Sequence, residues 1–550
     1  MNDVPSQQQG GQRDPTTLSL VHTIDEALRD NSRSLMILDR HTNTWRAHTW
    51  QSVYEIGRRV AAELRCDTDE PERAPIGIVG EPIAELASII IGSWIGGRAI
   101  AVLPGSVRGA SADGWVQTTV QRLREIGCHK VYSHGAQLES LRGYDSALTV
   151  RDMRSVAELP PGDPRPAAAS EESAAILQGT AGSTGVPKTA VQSRRAVLYH
   201  FRAAADRLGL RPTDDVLCSW LPLYHDLGLL MLVLGISSGM TLWLTSPTAF
   251  SRAPLNWIHW LTQSRATMLP APNFAYDLIG RYSTRIGEAD LSAIRVALNG
   301  GESVDCPAME RFAEEMERFG FDRRALTPAY GLAEATCGLT MPPPGLGLRY
   351  DRVRPTGEPA PIRHALLGRP LDGVDMRIVP HGPDVPEVPG RVVGEVEFRG
   401  PTTMSGYLGH DRAISPQDWC QTGDIGYLLD GELVICGRLK EMITFAGRNL
   451  FPQQIEDVTA RVPGIDNGAV VATAVRPGTA NGSQRTALVI VAEYRGDAEP
   501  GPITDKICEL VATECGVVPS KVELVARGKL PRTTSGKLRR LIVGSWFATN

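Results

Sequence analysis

The sequence predicts an α/β protein built on more than one hydrophobic core. Three observations carry that reading. At 550 residues the chain is longer than a single core spans. Short β-branched runs alternate with helix-length segments through most of it, as in sheets covered by helices on both faces. After Gly437 the pattern changes to a smaller set of strands and helices. The predicted organisation is a disordered tail over 1–18, a large N-terminal α/β domain over 19–437, and a smaller C-terminal α+β domain over 438–550.

The opening MNDVPSQQQGGQRDPTT has no apolar run of signal-peptide length and reads as a disordered tail. Strands are predicted at 76–79, 131–133, 268–270, 297–298 and 396–398, and a helix over 305–319. Two apolar stretches, 86–103 and 227–244, approach the length of a membrane span. Each has glycine in its middle and a β-branched or aromatic finish, and neither has the charges of a membrane flank. Each is predicted as a buried helix, a glycine turn and a buried strand. Proline and glycine cluster at 342–347 and 381–390, marking surface loops, the second between two strands. Asp430-Gly431 lies at the turn of a predicted hairpin. In the C-terminal unit, strands are predicted at 469–474, 487–493 and 522–525 and a helix over 503–515. There is no internal repeat.

Bulk chemistry excludes some function classes. The formal charge of -5 gives no basic footprint for nucleic acid and no attraction to an anionic membrane. Nine cysteines are scattered without CxxC or Cys/His ligand spacing, as expected of reduced thiols in a cytoplasmic protein.

Five segments carry chemistry. In Thr180-Ala-Gly-Ser-Thr-Gly-Val-Pro-Lys188, Gly182 and Gly185 permit tight turns. Ser183 and Thr184 offer hydroxyl and backbone donors, and Lys188 adds a point charge. The spacing approaches a nucleoside-triphosphatase phosphate loop, but Pro187 replaces the second glycine and lacks its N–H. Taken alone, the segment also fits an ordinary polar surface loop. Next, Trp220-Leu-Pro-Leu-Tyr-His225-Asp226-Leu-Gly228 precedes the second apolar helix. His225 fits a catalytic role or a structural place near a helix start. Adjacent residues on a strand point oppositely, so a His225–Asp226 dyad is not implied.

Asn299-Gly-Gly301-Glu302 and Pro328-Ala-Tyr330-Gly331-Leu-Ala-Glu334-Ala-Thr336 each follow a short strand. Tyr330 can stack on a purine. Glu334 can hold Mg²⁺ with triphosphate oxygens, or can be a helix N-terminal acid favoured by the macrodipole. Thr422-Gly-Asp424-Ile-Gly-Tyr427 and Gly437-Arg438-Leu-Lys440 bracket the predicted hairpin, and a carboxylate such as Asp424 can accept both ribose hydroxyls. Finally, Gly528-Lys-Leu-Pro-Arg-Thr-Thr-Ser-Gly-Lys537 stands near the C-terminus.

The phosphate-loop segment and the Lys537 segment together resemble the first and last core motifs of the acyl-adenylate-forming superfamily. WLPLYHDLGL, AYGLAEAT, TGDIGYLLDGEL, GRLKEMI and GRNLFPQQIE are similar to the fatty acyl-AMP ligase branch. Ala333, where most acyl-CoA ligases have Thr or Ser, matches that branch, as do Gly447-Arg448-Asn449 and Phe451-Pro452-Gln453. The resemblance runs from about residue 20 to the end.

The resemblance implies ATP-dependent activation of a carboxylic, fatty, acid to acyl-AMP, with ATP and Mg²⁺ as cofactors. Transfer to the phosphopantetheine thiol of an acyl carrier protein, or of a polyketide or peptide synthase carrier domain, follows. The N-terminal domain, with a small β-barrel-like subdomain, would bind ATP and the acid, and the C-terminal domain would be a mobile lid. The 180–188 segment would wrap the pyrophosphate end, with Thr184 and Glu334 supporting Mg²⁺. Gly301, Glu302 and Gly331 join the nucleotide site. Tyr330 would stack on adenine, Asp424 and Arg438 would hold ribose, and His225 would line the mouth of the acyl pocket. Lys440 is the implied hinge and Lys537 the implied catalytic lysine.

Other readings stay open. Members of this branch carry a sizeable insertion, associated with suppressing CoA transfer, where this chain has the short proline-rich 340–367; acyl-CoA ligase is therefore the runner-up. Tyr224-His225-Asp226 stands where amino-acid-adenylating domains show Phe-Asp, which disfavours that reading. A silent nucleotide sensor is disfavoured by the joint presence of Lys188, Glu334, Asp424 and Lys537.

Lys537→Ala is expected to slow acid-dependent pyrophosphate release a hundred- to a thousandfold or more, since one transition-state charge contact is worth roughly 3–4 kcal/mol. Thiol transfer from pre-formed acyl-AMP should survive. Near-normal pyrophosphate release by the variant removes the lysine from the mechanism.

Overall fold

The structure is a computed structural model that describes residues 19–39, 42–66, 74–106, 112–162, 167–180, 188–353, 362–380, 388–445, 448–475, 487–496, 499–532 and 538–547. Two seven-stranded sheets organise the larger part. The first runs, in spatial order, Leu326–Pro328, Val296–Asn299, Met268–Ala271, Val216–Ser219, Thr241–Leu244, Ser34–Asp39 and Thr44–Thr49. Its pairs are parallel except the last, which is antiparallel. The second runs Gly406–Tyr407, Lys188–Ser193, Ala174–Thr180, Ile100–Leu103, Ile76–Val79, Lys130–Ser133 and Thr149–Asp152. It is parallel from Ala174–Thr180 onward and antiparallel on both sides of Lys188–Ser193.

A shared layer of helices lies between the sheets: Leu20–Leu28, Trp50–Cys66, Ala84–Ile95, Arg194–Arg207 and Asp226–Ser238. Strand alternation puts one face of each sheet onto it. Ile76, Ile78, Ile100 and Val102 from one sheet and Leu217, Leu242, Val296 and Leu298 from the other join the same core. The opposite faces carry their own cores. Cys218, Leu269 and Ala297 pack under Asn256–Ser264, Asn273–Arg281 and Cys306–Glu317. Val79, Ala101 and Val131 pack under Ala112–Glu125. The result is a five-layer αβαβα body. One tryptophan ties the middle layer to each sheet: Trp50 Nε1 donates to Met240 O (2.7 Å) and Trp94 Nε1 to Ala175 O (2.9 Å).

Both apolar stretches are helix, glycine turn and strand, as predicted. Ala84–Ile95 leads through Gly96-Gly97 to Ile100–Leu103, and Asp226–Ser238 leads through Gly239 to Thr241–Leu244. Among the described residues no helix is long and apolar enough to cross a membrane.

The predicted Asp430-Gly431 hairpin is present, joining Cys420–Leu429 to Glu432–Arg438. Both turn residues have positive φ, 51° and 82°, the requirement of a tight two-residue turn. This hairpin completes an open four-stranded antiparallel sheet with Asp375–Pro380 and Gly394–Arg399. The expected β-barrel-like subdomain takes this form, with two smaller sheets beside it. One of these is unforeseen: the proline-rich 340–367 segment contains Tyr350–Val353 paired antiparallel with Ile362–Ala365.

The C-terminal part has its own cores around Ile465–Val475, Ala487–Tyr494 and Lys521–Val525. Pro452–Thr459, Pro500–Cys515 and Arg540–Ser545 pack on that sheet. Arg540 knits it together, donating to both carboxylate oxygens of Glu456 (2.7 and 2.6 Å) and to Glu441 (2.7 Å).

The middle layer depends on a close helix crossing. A Cβ on Gly92 would lie 2.6 Å from Gly57 O and 2.6 Å from Val60 Cβ. Gly92→Ala gains about 1 kcal/mol of helix propensity. It forces Trp50–Cys66 and Ala84–Ile95 apart, and overpacking costs about 1–3 kcal/mol. Net destabilisation is expected, seen as a lower urea midpoint at unchanged slope. A raised midpoint would show that the helices give way freely.

Candidate active site

The proposed nucleotide residues meet at the edge of the four-stranded sheet. Asp424 and Arg438 face each other across the hairpin register. Arg438 Nε donates to Asp424 Oδ1 (2.9 Å) and the Tyr330 hydroxyl donates to Oδ2 (2.5 Å). The Asp424 backbone N–H donates to Thr422 Oγ1 (3.0 Å), and the Gly423 N–H to Glu395 Oε1 (3.1 Å). Asp424 is buried, whereas the Arg438 side chain is 48% exposed. The Asp424 charge holds the Arg438 guanidinium above its ordinary range. Burial, with Asp424 beside it, pushes the Tyr330 phenol well above its ordinary value.

A second group surrounds Glu334. The strands Ala174–Thr180 and Lys188–Ser193 pair with Thr180 opposite Lys188. Thr180 Oγ1 donates to Lys188 O (3.4 Å). Lys188 Nζ lies 4.7 Å from the centre of the Tyr407 ring, and Tyr407 donates to Glu334 Oε1 (2.6 Å). Glu334 belongs to a single 3₁₀ turn, Ala333–Ala335. That turn ends at Thr336, with φ 71° and ψ −49°, a γ-turn conformation that is costly for a β-branched residue. Gln192 Nε2 holds it by donating to Ala333 O (3.0 Å) and Thr336 O (3.1 Å), and Thr336 Oγ1 donates to Thr402 O (2.8 Å).

Between these groups and the middle helix layer opens a cavity with about 670 Å³ of empty volume, part of it open to solvent. Gly300, Gly301, Tyr330 and Gly331 line one side of it. Phe201, Leu208, Leu230, Met231, Leu234 and Met341 make an apolar interior. His200 and Cys337 are buried in its wall. Burial, with Asp226 nearby, pushes the Cys337 thiol well above its ordinary value. The wall therefore holds an inert thiol, and Asp226 is the charged residue among its lining.

The sequence-predicted residues fall into three sets. Gly301, Tyr330 and Gly331 line the cavity, Asp424 and Arg438 are hydrogen-bonded in a group with Tyr330, and Thr180, Lys188 and Glu334 gather around Tyr407. Gly182, Ser183, Thr184, Gly185 and Lys537 lie outside the described residues, as does Gly447. Three have other surroundings. Glu302 accepts from the Phe274 N–H (3.2 Å) at the start of Asn273–Arg281, a helix-end contact. His225 is the N-cap residue of Asp226–Ser238 and not part of a strand; its neighbours Asp226 and Leu227 line the cavity. Lys440 is exposed, in the short 3₁₀ turn Leu439–Glu441 between the hairpin and the C-terminal strands. Sequence reasoning missed Tyr407, Gln192, His200 and the cavity wall. The single available signal was the wholly apolar helix after Asp226.

Parallel strands ending in a polar cleft, a buried carboxylate flanked by a guanidinium and a phenol, and an apolar cavity behind them are the arrangement into which the family match fits. The chain belongs to the AMP-binding enzyme family, whose model matches residues 25–408. Rv1013 of Mycobacterium tuberculosis, named as a ligase, is 32% identical over 90% of this chain and 93% of its own length. Long-chain-fatty-acid–AMP ligase FadD28 of the same organism is 32% identical over 67% of this chain and 69% of its own. A solved structure from work on fatty acyl-adenylate ligases of E. coli and L. pneumophila superimposes with a TM-score of 0.86 at 26% identity, covering 96% of this chain and 97% of that one.

Burial lowers the His200 imidazole to about 4, opposed by its bond to Gly338 O. The unfolded chain, with an ordinary histidine near 6.5, binds the proton first as pH falls. Stability is thus full above about pH 6.5 and is lost as pH falls toward 4. His200 alone should remove about 2–3 kcal/mol between pH 7 and 4.5. Urea unfolding at the two pH values checks this: His200→Gln should flatten the acid slope, and an unchanged slope contradicts the assignment.

Proposed function

We propose that this protein activates a fatty or similarly apolar carboxylic acid with ATP, releasing pyrophosphate, and then passes the acyl group to the phosphopantetheine thiol of a carrier protein. The observation that carries the reading is the apolar cavity ending at Gly300-Gly301 and Tyr330-Gly331, beside the Asp424–Arg438 pair. An acid whose chain fills that cavity presents its carboxylate at the polar cleft. A carboxylate is a poor electrophile. Its oxygen attacks the α-phosphorus of ATP, the bond to pyrophosphate breaks, and a mixed anhydride results. Two anionic reactants must be held in line while charge grows on the phosphorus oxygens, so positioning and electrostatics dominate.

The proposed division of labour draws on the described geometry and, for Lys537 and residues 181–187, on the motif resemblance. Asp424 accepts from ribose hydroxyls while Arg438 keeps it paired, and Tyr330 and Gly331 form the wall beside the adenine. Lys188 and the 180–188 segment take the phosphates, and Lys537 supplies charge at the reacting centre. No group of three or more His, Cys, Asp or Glu among the described residues makes a metal cage. That fits Mg²⁺ arriving with ATP, since this ion keeps several waters and takes one or two protein carboxylates. Glu334 fits that place: Oε1 accepts from Tyr407, and Oε2 has no hydrogen-bond partner among the described residues. When bound, Mg²⁺ neutralises triphosphate charge. Thr184 joins Glu334 in this proposal.

The C-terminal domain is proposed as a lid turning about Lys440 between the half-reactions. Ala333 supports the carrier-protein acceptor, and FadD28, named a fatty-acid–AMP ligase, supports acyl-AMP formation. The short 340–367 segment supports the second reading, transfer to CoA.

Pyrophosphate release against a panel of acids, followed by mass detection on CoA and on a holo carrier protein, tests both steps. Acyl-AMP formation with medium or long apolar acids and faster loading of the carrier protein are expected. Equal loading of CoA replaces the acceptor, and no pyrophosphate with any acid rejects the function.

Asp424→Ala should weaken ATP binding about five- to thirtyfold. A hydrogen bond to a charged acceptor is worth roughly 1.5–3 kcal/mol, and the Tyr330 hydroxyl already holding Oδ2 offsets part of it. Unchanged affinity by calorimetry refutes the ribose assignment.

A further inference from the structure

One polar atom in the cavity wall has no role in the chemistry above. His200 lines the cavity and is 1% exposed. Its Nε2 lies 3.0 Å from Gly338 O. A carbonyl oxygen only accepts, so Nε2 carries the proton. The ring is neutral at pH 7, because burial lowers it to about 4. A neutral ring protonated at Nε2 keeps a bare lone pair on Nδ1. Nδ1 is buried and has no hydrogen-bond partner among the described residues. Of the other lining residues, Phe201, Ala204, Leu230 and Met231 carry no side-chain donor, and the Tyr330 hydroxyl is given to Asp424. An apolar residue would fill such a wall without leaving an acceptor unpaired.

The place of the ring along the cavity is defined. Gly338 is the register partner of Gly331, so His200 sits one strand behind Tyr330-Gly331, at the nucleotide end. Leu208, also in the wall, is about 12 Å further along the helix direction. An acid with its carboxylate at the cleft passes His200 within its first few carbons.

We propose that the acyl cavity selects acids bearing a hydroxyl a few atoms from the carboxyl group, the hydroxyl donating to His200 Nδ1 while the remaining chain lies against the apolar wall. This rests on the reading of the cavity as the acyl site. A donor there satisfies a buried acceptor that an unsubstituted chain leaves unpaired, and discrimination by an unpaired polar group is larger than discrimination by a methylene.

The test uses the full chain with decanoic, 3-hydroxydecanoic and 10-hydroxydecanoic acids, read by pyrophosphate release. The 3-hydroxy acid is expected to exceed decanoic acid in kcat/KM by roughly tenfold or more, and the 10-hydroxy acid is not. In His200→Phe the ratio of 3-hydroxydecanoic to decanoic acid should fall to about one, whatever the absolute rates. Independently, the ¹⁵N resonance of His200 Nδ1 should move when the 3-hydroxy acid binds and stay when decanoic acid binds. That measurement decides alone if His200→Phe fails to fold. Equal turnover of the pair with an unmoved resonance overturns the proposal. A moved resonance with no pyrophosphate from any acid retains the hydroxyl site and rejects adenylation instead.

Discussion

The contact between Gly331 and the turn that follows it holds the site together. A Cβ at residue 331 would lie 1.9 Å from Cys337 O, so only glycine allows Tyr330–Gly331 to fold back onto Gly338–Met341 this tightly. Four consequences come from that approach. Tyr330 is aimed at Asp424, Glu334 is presented in the turn toward Tyr407, and Cys337 and Gly338 become cavity wall. The fourth is Thr336, forced into a conformation worth about 1–3 kcal/mol of strain. The hydrogen bonds from Gln192 and to Thr402 O offset it. The proposed nucleotide, metal and acyl sides are thus three faces of one turn.

The rest of the fold explains why that turn meets a cavity. Val216–Ser219, Val296–Asn299 and Leu326–Pro328 are parallel, and the segments after their carboxyl ends carry His225-Asp226, Gly300-Gly301 and Ala329-Tyr330. Ligands of open parallel sheets bind outside such ends. Here the helix layer shared with the second sheet lies directly behind. The helices Arg194–Arg207 and Asp226–Ser238 supply the apolar wall. A single-sheet protein would face solvent there.

What was legible in the sequence was local. The 86–103 and 227–244 stretches announce their helix–turn–strand form through central glycines. Asp430-Gly431 announces its turn because few residues accept positive φ at both positions. The cleft residues were legible because their chemistry sits in contiguous motifs. Contacts between distant segments left no such trace: Tyr407 reaches Glu334, and Gln192 reaches Ala333, across sheets. His200 looks like any helix residue until Gly338 is placed beside it. The pairing of Tyr350–Val353 with Ile362–Ala365 was hidden by the proline and glycine around it, because a loop signal says nothing of strands a few residues away. Glu302 was grouped with the nucleotide by its motif, yet its carboxylate meets a helix end contributed by Phe274.

The state of Asp424 bears on how such a site tolerates being open. A carboxylate this buried is strongly destabilising if left uncompensated. Arg438 supplies the charge partner and the Tyr330 hydroxyl fills the second oxygen. If ribose takes that place, one hydroxyl donor replaces another and the bond count at the carboxylate is conserved. The exchange then contributes only part of the roughly 1.5–3 kcal/mol that a hydrogen bond to a charged acceptor is worth, and specificity for the nucleotide rests also on the phenol and the phosphate contacts. In return the carboxylate is never stranded, with or without ligand, and Arg438 needs no rearrangement when the donor changes. A proposed lid that opens and closes over this edge would otherwise expose the fold to an unpaired buried charge in every cycle. Keeping a protein hydroxyl on the acceptor removes that penalty and holds the oxygens in the geometry that binding requires.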